Sequence, residues 1–147
     1  MSVKWVVIDS SVALKWRLRD EDAIVEADAL LDDVTAGKVA LLTPSLFDYE
    51  ITNALKMAVV RSRLSEADAQ IAIFDYWAYK IERRDFFSLQ ALAFQLANQY
   101  QRSVYDATYM ALAKSEGVDF ITGDKRLFNA VNPMLNWVKW IGNYQPV

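Results

Sequence analysis

The sequence contains no histidine and no cysteine. A serine–histidine–aspartate triad, a cysteine nucleophile and a zinc site of the usual ligands are therefore out of reach. Chemistry in this chain has to come from carboxylates, lysines, hydroxyls or a hard cation held by oxygen. Four of the nineteen acids, Asp9, Glu50, Asp106 and Asp124, stand where such chemistry is commonly built.

Asp9 directly follows the apolar run VKWVVI (3–8), and Asp124 follows VDFIT (118–122) within Thr122-Gly123-Asp124. In an open α/β sheet, ligand sites form beyond the carboxyl ends of the strands. Both acids also suit a plain helix N-cap, where a side-chain oxygen accepts a backbone N–H. Glu50 lies within an apolar stripe of Phe47, Ile51, Ala54, Leu55 and Ala58 at helical spacing. A carboxylate aimed at a core is costly unless a lysine or cation pairs it, although a glutamate on the stripe's edge can reach water. Asp106 ends Ser103-Val104-Tyr105-Asp106, which fits a capping box, and its face continues through Tyr109, Met110 and Ala113.

Each acid alone has a structural role open to it. Together, four carboxylates in one crevice would repel one another and could not all stay ionised without cations. Magnesium or manganese, octahedral and oxygen-loving, suits such a set. Two ions about 3.5–4 Å apart would clamp the attacking and leaving oxygens of a phosphodiester. A cation also lowers the pKa of water, so no histidine base is required.

The elements that must carry these acids are readable from periodicity. VKWVVI is a β-branched run and reads as a buried strand. Ser10 and Ser11 open a helix over SVALKWRL, and an acidic helix runs from about Asp22 to Thr35, ended by Gly37. VALLT (39–43) reads as a strand, and Thr43-Pro44 opens a helix to about Arg63. Ser65 and Asp68 form a capping box for a helix to about Lys80. A short strand is expected in 80–86, then a helix over 88–100, another from Ser103 to Gly117, and the strand VDFIT. The helix DKRLFNAV stops before Asn132-Pro133, and NWVKWIG suggests a last strand. Strands alternating with helices imply an α/β fold with a mainly parallel sheet covered on both faces.

Length and composition set the frame. The 147 residues fit one domain, spanning 1–147, with no linker, repeat or low-complexity stretch. The chain is 54% hydrophobic and 24% charged, an ordinary globular balance. No apolar run approaches the roughly 20 residues that cross a bilayer, so no membrane association is expected. The opening MSVKWVVIDSS is too short for a signal segment. Absence of cysteine fits a cytoplasmic address. The net charge of −3 speaks against a nucleic-acid partner, yet seven acids crowd into residues 20–33, and outside that segment twelve acids face sixteen bases. Basic clusters stand at Lys56/Arg61/Arg63, Arg83/Arg84 and Lys125/Arg126, each of which also reads as a solvated helix end.

The strings VVIDSSVALKW, TPSLFDYEITNAL and SVYDATYMALAKSEGVDFITGD, in that order, resemble the successive motifs of the PIN-domain family. The compact size is similar to the VapC-type toxins within it. The likeness covers roughly residues 3–131; Tyr105 to Asp124 is its most specific part. The resemblance implies a three-layer α/β/α sandwich and cleavage of RNA dependent on Mg2+ or Mn2+. It also implies a homodimer and a small antitoxin protein bound over the active-site groove. Residue by residue, the family's four acids match Asp9, Glu50, Asp106 and Asp124, as catalytic and metal-binding groups. Its neighbouring hydroxyls match Ser10 and Thr122, which orient carboxylates and waters. The five tryptophans, Trp5, Trp16, Trp77, Trp137 and Trp140, could stack RNA bases, but such residues more often fill cores or interfaces.

Other acid-using α/β classes fail at one residue or more. Haloacid-dehalogenase-type phosphotransferases need an Asp where Ser11 stands, proofreading exonucleases need an acid there, and the adhesion motif D-x-S-x-S breaks at Ala13. The remaining alternative is a catalytically idle PIN-like module that binds RNA or protein.

Overall fold

Val6, Val7 and Ile8 are each 1% exposed or less, although successive strand residues point to opposite faces. A strand buried on both faces belongs in the middle of a covered parallel sheet, and there the run sits as β1 (Lys4–Ile8). The computed structural model describes residues 2–147. Four further strands, β2 (Val39–Thr43), β3 (Ile81–Arg83), β4 (Asp119–Thr122) and β5 (Val138–Trp140), complete a sheet ordered β3-β2-β1-β4-β5. Every neighbouring pair is parallel. The three-layer α/β architecture expected from the sequence is therefore the one observed.

The sheet order has one consequence for chemistry. The chain builds outward from β1 to β2 and β3, then crosses back to place β4 and β5 on β1's other side. In open α/β sheets, ligands are held in the crevice beyond the ends of the strands where the order reverses, here β1 and β4. In register, Ile8 pairs with Ile121, so Asp9 and Thr122 leave the sheet side by side. On the other flank, Thr43 Oγ1 donates to the Ile8 carbonyl at 3.2 Å, fixing the exit of β1 from both neighbours.

The helices are α1 (Ser10–Ala13), α2 (Ile24–Thr35), α3 (Leu46–Val60), α4 (Glu66–Ala78), α5 (Leu89–Tyr100), α6 (Val104–Glu116) and α7 (Lys125–Val131). Several boundaries follow directly from side-chain chemistry. Ser65 and Ser103 accept the Asp68 and Asp106 backbone N–H groups at 3.1 and 3.0 Å, so both expected caps exist. Gly37 and Gly117 take the left-handed backbone, with φ of 76° and 68°, that ends a helix cheaply only at glycine.

Three elements differ from expectation. The helix expected over SVALKWRL is only α1, followed by a tighter 3₁₀ turn at Leu14–Trp16. Helix α2 begins at Ile24 rather than Asp22. The buried Lys15 ammonium binds both the Asp22 carbonyl (2.8 Å) and carboxylate (2.7 Å), pinning that residue outside the helix. Helix α3 stops at Val60, short of Arg63. Ser62 turns left-handed (φ 58°), and the Ser62 and Arg63 N–H groups close back on Val59 and Ala58 carbonyls.

The short α1 depends on its surroundings. Its last residue, Ala13, offers its carbonyl to the Tyr76 hydroxyl of α4 at 2.6 Å, in the buried core. Tyr76→Phe leaves that carbonyl without a partner, at a cost of about 1–3 kcal/mol. Urea unfolding of the variant should show a lower midpoint with an unchanged slope. An unaltered midpoint would show that α1 does not depend on this bond.

Candidate active site

Asp9 occupies the N-cap position of α1, yet its side chain makes no cap bond. The plain N-cap reading of Asp9 is thereby excluded. Its carboxylate is 7% exposed and held by two hydroxyls. Ser11 Oγ donates to Oδ1 at 2.5 Å, and Thr122 Oγ1 donates to Oδ2 at 2.6 Å. Each hydroxyl is itself oriented, because Gly123 N–H donates to Ser11 Oγ (2.8 Å) and Asp124 N–H to Thr122 Oγ1 (3.0 Å). A hydroxyl whose lone pair is taken by a backbone donor turns its own proton outward. Both protons therefore point at Asp9.

This clamp requires glycine at position 123. A Cβ there would lie 2.8 Å from the Ser11 carbonyl oxygen and 2.9 Å from Lys15 Cε. The backbone after β4 approaches α1 that closely in order for its N–H to reach Ser11.

Glu50 lies on the buried stripe of α3, as its spacing suggested, with Phe47, Ile51, Leu55 and Ala58 in the core. It does not turn away to water. The buried Tyr109 phenol of α6 donates a short hydrogen bond to its Oε1. Asp106 stands in the first turn of α6, half-buried, with the Arg102 guanidinium 3.6 Å away. Asp124 does serve as the N-cap of α7: Oδ1 accepts from the Arg126 and Leu127 N–H groups at 3.0 and 3.1 Å.

Electrostatics ties the four acids into one cluster. Burial pushes Asp9 up to about 6, the Ser11 and Thr122 hydroxyls pull it down, and the Glu50 and Asp106 charges push it up. Burial also raises Glu50, with the Tyr109 bond opposing and the Asp106 charge adding to the rise. Burial raises Asp106 too, with Arg102 opposing and Asp124 adding. Mutual repulsion thus links Asp9, Glu50, Asp106 and Asp124.

The hydroxyl on Asp9 is that of Ser11, while the Ser10 hydroxyl lowers Glu50 instead. Ser11, Tyr109, Gly123 and Lys15 are the site-building residues that spacing alone did not single out. The one available signal for Ser11 was its place two residues after an acid that ends a strand.

The donor set is all oxygen and mostly anionic, which fits a hard divalent cation. Among the described residues, no group of three or more acids is drawn together tightly enough to hold a metal ion as the side chains stand. The reason is visible in the hydrogen bonds. Both Asp9 oxygens, one oxygen of Glu50 and one of Asp124 are engaged by protein donors. The raised carboxyl groups nevertheless mark unneutralised negative charge, which the Arg102 guanidinium offsets at Asp106.

The sequence model of the family described as PIN domain matches residues 6–132. The chain is 33% identical over 120 residues to Ribonuclease VapC1 of Mycobacterium tuberculosis, covering 73% of this chain and 89% of that protein. It is 28% identical over 122 residues to Ribonuclease VapC12 of the same organism, covering 83% and 88%. Among solved structures, PAE2754 from Pyrobaculum aerophilum superposes with a TM-score of 0.66 at 21% identity, covering 96% of this chain and 92% of that one. FitAcB from Neisseria gonorrhoeae gives 0.58 at 18% identity, covering 96% and 97%. At those identities the structural likeness shows a shared fold.

The raised Asp9 group has a stability consequence whose sign is opposite to that of a salt-bridged acid. The folded chain holds the Asp9 proton up to about pH 6, whereas the unfolded chain releases it near its ordinary value of 3.8. Between those values the folded state binds more protons, so stability falls as pH rises through the window and levels off above it. The full shift corresponds to a penalty on the order of 3 kcal/mol at neutral pH. In chelator, the melting temperature should therefore rise as pH is lowered from 7 to 5. Asp9→Asn should flatten that rise and stabilise the protein at pH 7. Identical profiles for the two proteins would remove Asp9 as the source.

Proposed function

The chain belongs to the PIN domain family, and we propose that it is a divalent-metal-dependent endoribonuclease, the toxin of a toxin–antitoxin pair. The observation that carries this reading is that Asp9, Glu50, Asp106 and Asp124, from four separate segments, lie near enough for their charges to act on one another. The similarity to proteins named Ribonuclease VapC supplies the substrate class. An idle binding module has no evident use for a buried Asp9 held at this cost.

In this reading Asp9, Asp106 and Asp124 hold Mg2+ or Mn2+, and Glu50 completes the set. The bound cation supplies an activated water and offsets the charge of the phosphodiester. The remaining work falls to the protein. Ser11 and Thr122 fix the Asp9 carboxylate so that its oxygens do not rotate away from the cleft. Tyr109 holds Glu50 inward against the pull of water. Arg102 partly offsets Asp106.

The partners follow from the same reading: an RNA substrate, a small antitoxin over the cleft, and a second copy of the chain. The homodimer is supported by Tyr49, Phe94 and Tyr105, each more than 60% exposed around one groove between α3, α5 and α6. Isolated protein should not leave such aromatics in water without use. Among the described residues no helix is long and apolar enough to cross a membrane.

Purified protein incubated with total RNA and Mn2+ should cut at defined sites, mapped from the new ends, and EDTA should stop it. Asp9→Asn should reduce cleavage to background while the circular dichroism spectrum stays native. Ser11→Ala should cost about 10–100-fold, as the loss of a group that orients a metal ligand does. Cleavage that persists in EDTA, or full activity in Asp9→Asn, would rule out this assignment.

A further inference from the structure

Almost all the arginine charge of this chain is already spent. Every arginine except Arg61 and Arg126 is paired with a carboxylate. Arg126 and its neighbour Lys125 are exposed, form no ion pair among the described residues, and directly follow Asp124. Lys125 instead places its ammonium 3.6 Å from the centre of the Trp140 ring. Trp140 pairs in register with Thr122, whose hydroxyl holds Asp9. Neighbouring strands lie about 4.8 Å apart, so this cation–aromatic pair borders the acidic cleft.

The indole is fitted closely to its place. A Cβ at Gly142 would fall 2.2–2.5 Å from the six-membered ring, so only glycine admits the ring there. The indole Nε1 is buried without a hydrogen-bond partner.

We propose that Lys125 and Trp140 bind one nucleotide of an RNA strand next to the bond placed among the four acids. This rests on the ribonuclease reading above and adds to it a defined subsite for the flanking nucleotide. Lys125 acts as a movable cover. An exposed cation–aromatic contact is weaker than a stacked base combined with a lysine–phosphate contact, so an arriving nucleotide exchanges one for the other. The ammonium then moves onto the phosphate, and the base takes its place against the indole.

The test uses the full chain silenced by Asp9→Asn and a pool of fluorescein-labelled single-stranded RNA dodecamers, with binding read by fluorescence anisotropy. Lys125→Ala and Trp140→Leu should each weaken binding about tenfold. Lys125→Ala should also reduce the slope of log Kd against log salt by about 0.7, the signature of one lost phosphate contact on a single strand. Lys114→Ala, at the far end of α6, should change neither. Lys125 is exposed, so its variant keeps the test decisive even if Trp140→Leu unfolds. Unchanged affinity and salt slope in Lys125→Ala would overturn the proposal. The two readings also separate. Wild-type protein that cuts RNA with Mn2+ while Lys125→Ala binds normally defeats the subsite alone. Loss of binding in Lys125→Ala with no cutting by the wild type defeats the nuclease and leaves the subsite.

Discussion

A carboxylate, Asp9, is buried just beyond the end of the central strand, and the groups around it are arranged to hold it there. Two hydroxyl donors give each of its oxygens one hydrogen bond of fixed direction. Each hydroxyl needs a backbone N–H behind it, or its proton could turn elsewhere. Those N–H groups come from Gly123 and Asp124, which fixes the turn after β4. Thr122 must then be the last residue of the neighbouring strand, and residue 123 must lack a side chain. One buried charge thus constrains the register of two strands, the first turn of α1 and the identity of a glycine.

The same charge explains the placement of the other acids. Glu50 and Asp106 sit close enough to raise Asp9, yet each has its own restraint, a phenol for Glu50 and a guanidinium for Asp106. Of these partners only the Arg102 guanidinium carries a formal charge, so most of the negative charge of the four acids stays unneutralised by them. Tyr109, which restrains Glu50, also packs in the core against Phe120, with near-parallel rings 6.0 Å apart. A proposed cation would relieve the repulsion, so binding and stability would be coupled through the same few side chains.

Much of this could be read from residue order. VALLT becomes β2 without a shifted end, and the serine caps and helix-ending glycines act where their chemistry requires. Local signals of that kind are complete within a few residues. The four acids were visible for a related reason, as each breaks a local pattern: a strand end or an apolar stripe. The structural partners were not visible, because their role exists only across the fold. Ser11 meets Thr122 across 111 residues, and Tyr109 meets Glu50 across 59. Lys15 is the sharpest case. Within one segment it reads as a solvated lysine, whereas in the fold it is 1% exposed and shortens α2 by holding Asp22.

Charge counted along the sequence misled in an instructive way. The acidic segment 20–33 looked separable from a basic remainder. In the fold it takes three of those sixteen bases: Asp20 and Glu21 take Arg63, Asp22 takes Lys15, and Asp28 takes Arg19. Arg83 is likewise committed, to Asp48 and the faces of Trp77 and Phe47. Of the three basic clusters in the sequence, only Lys125/Arg126 both keeps its charge unpaired and adjoins an acid of the cleft. An acidic protein attracts a polyanion only through local fields, which decay within about 10 Å at moderate salt. Positive charge therefore matters only where it survives pairing, and beside the cleft it survives on the β4–β5 side.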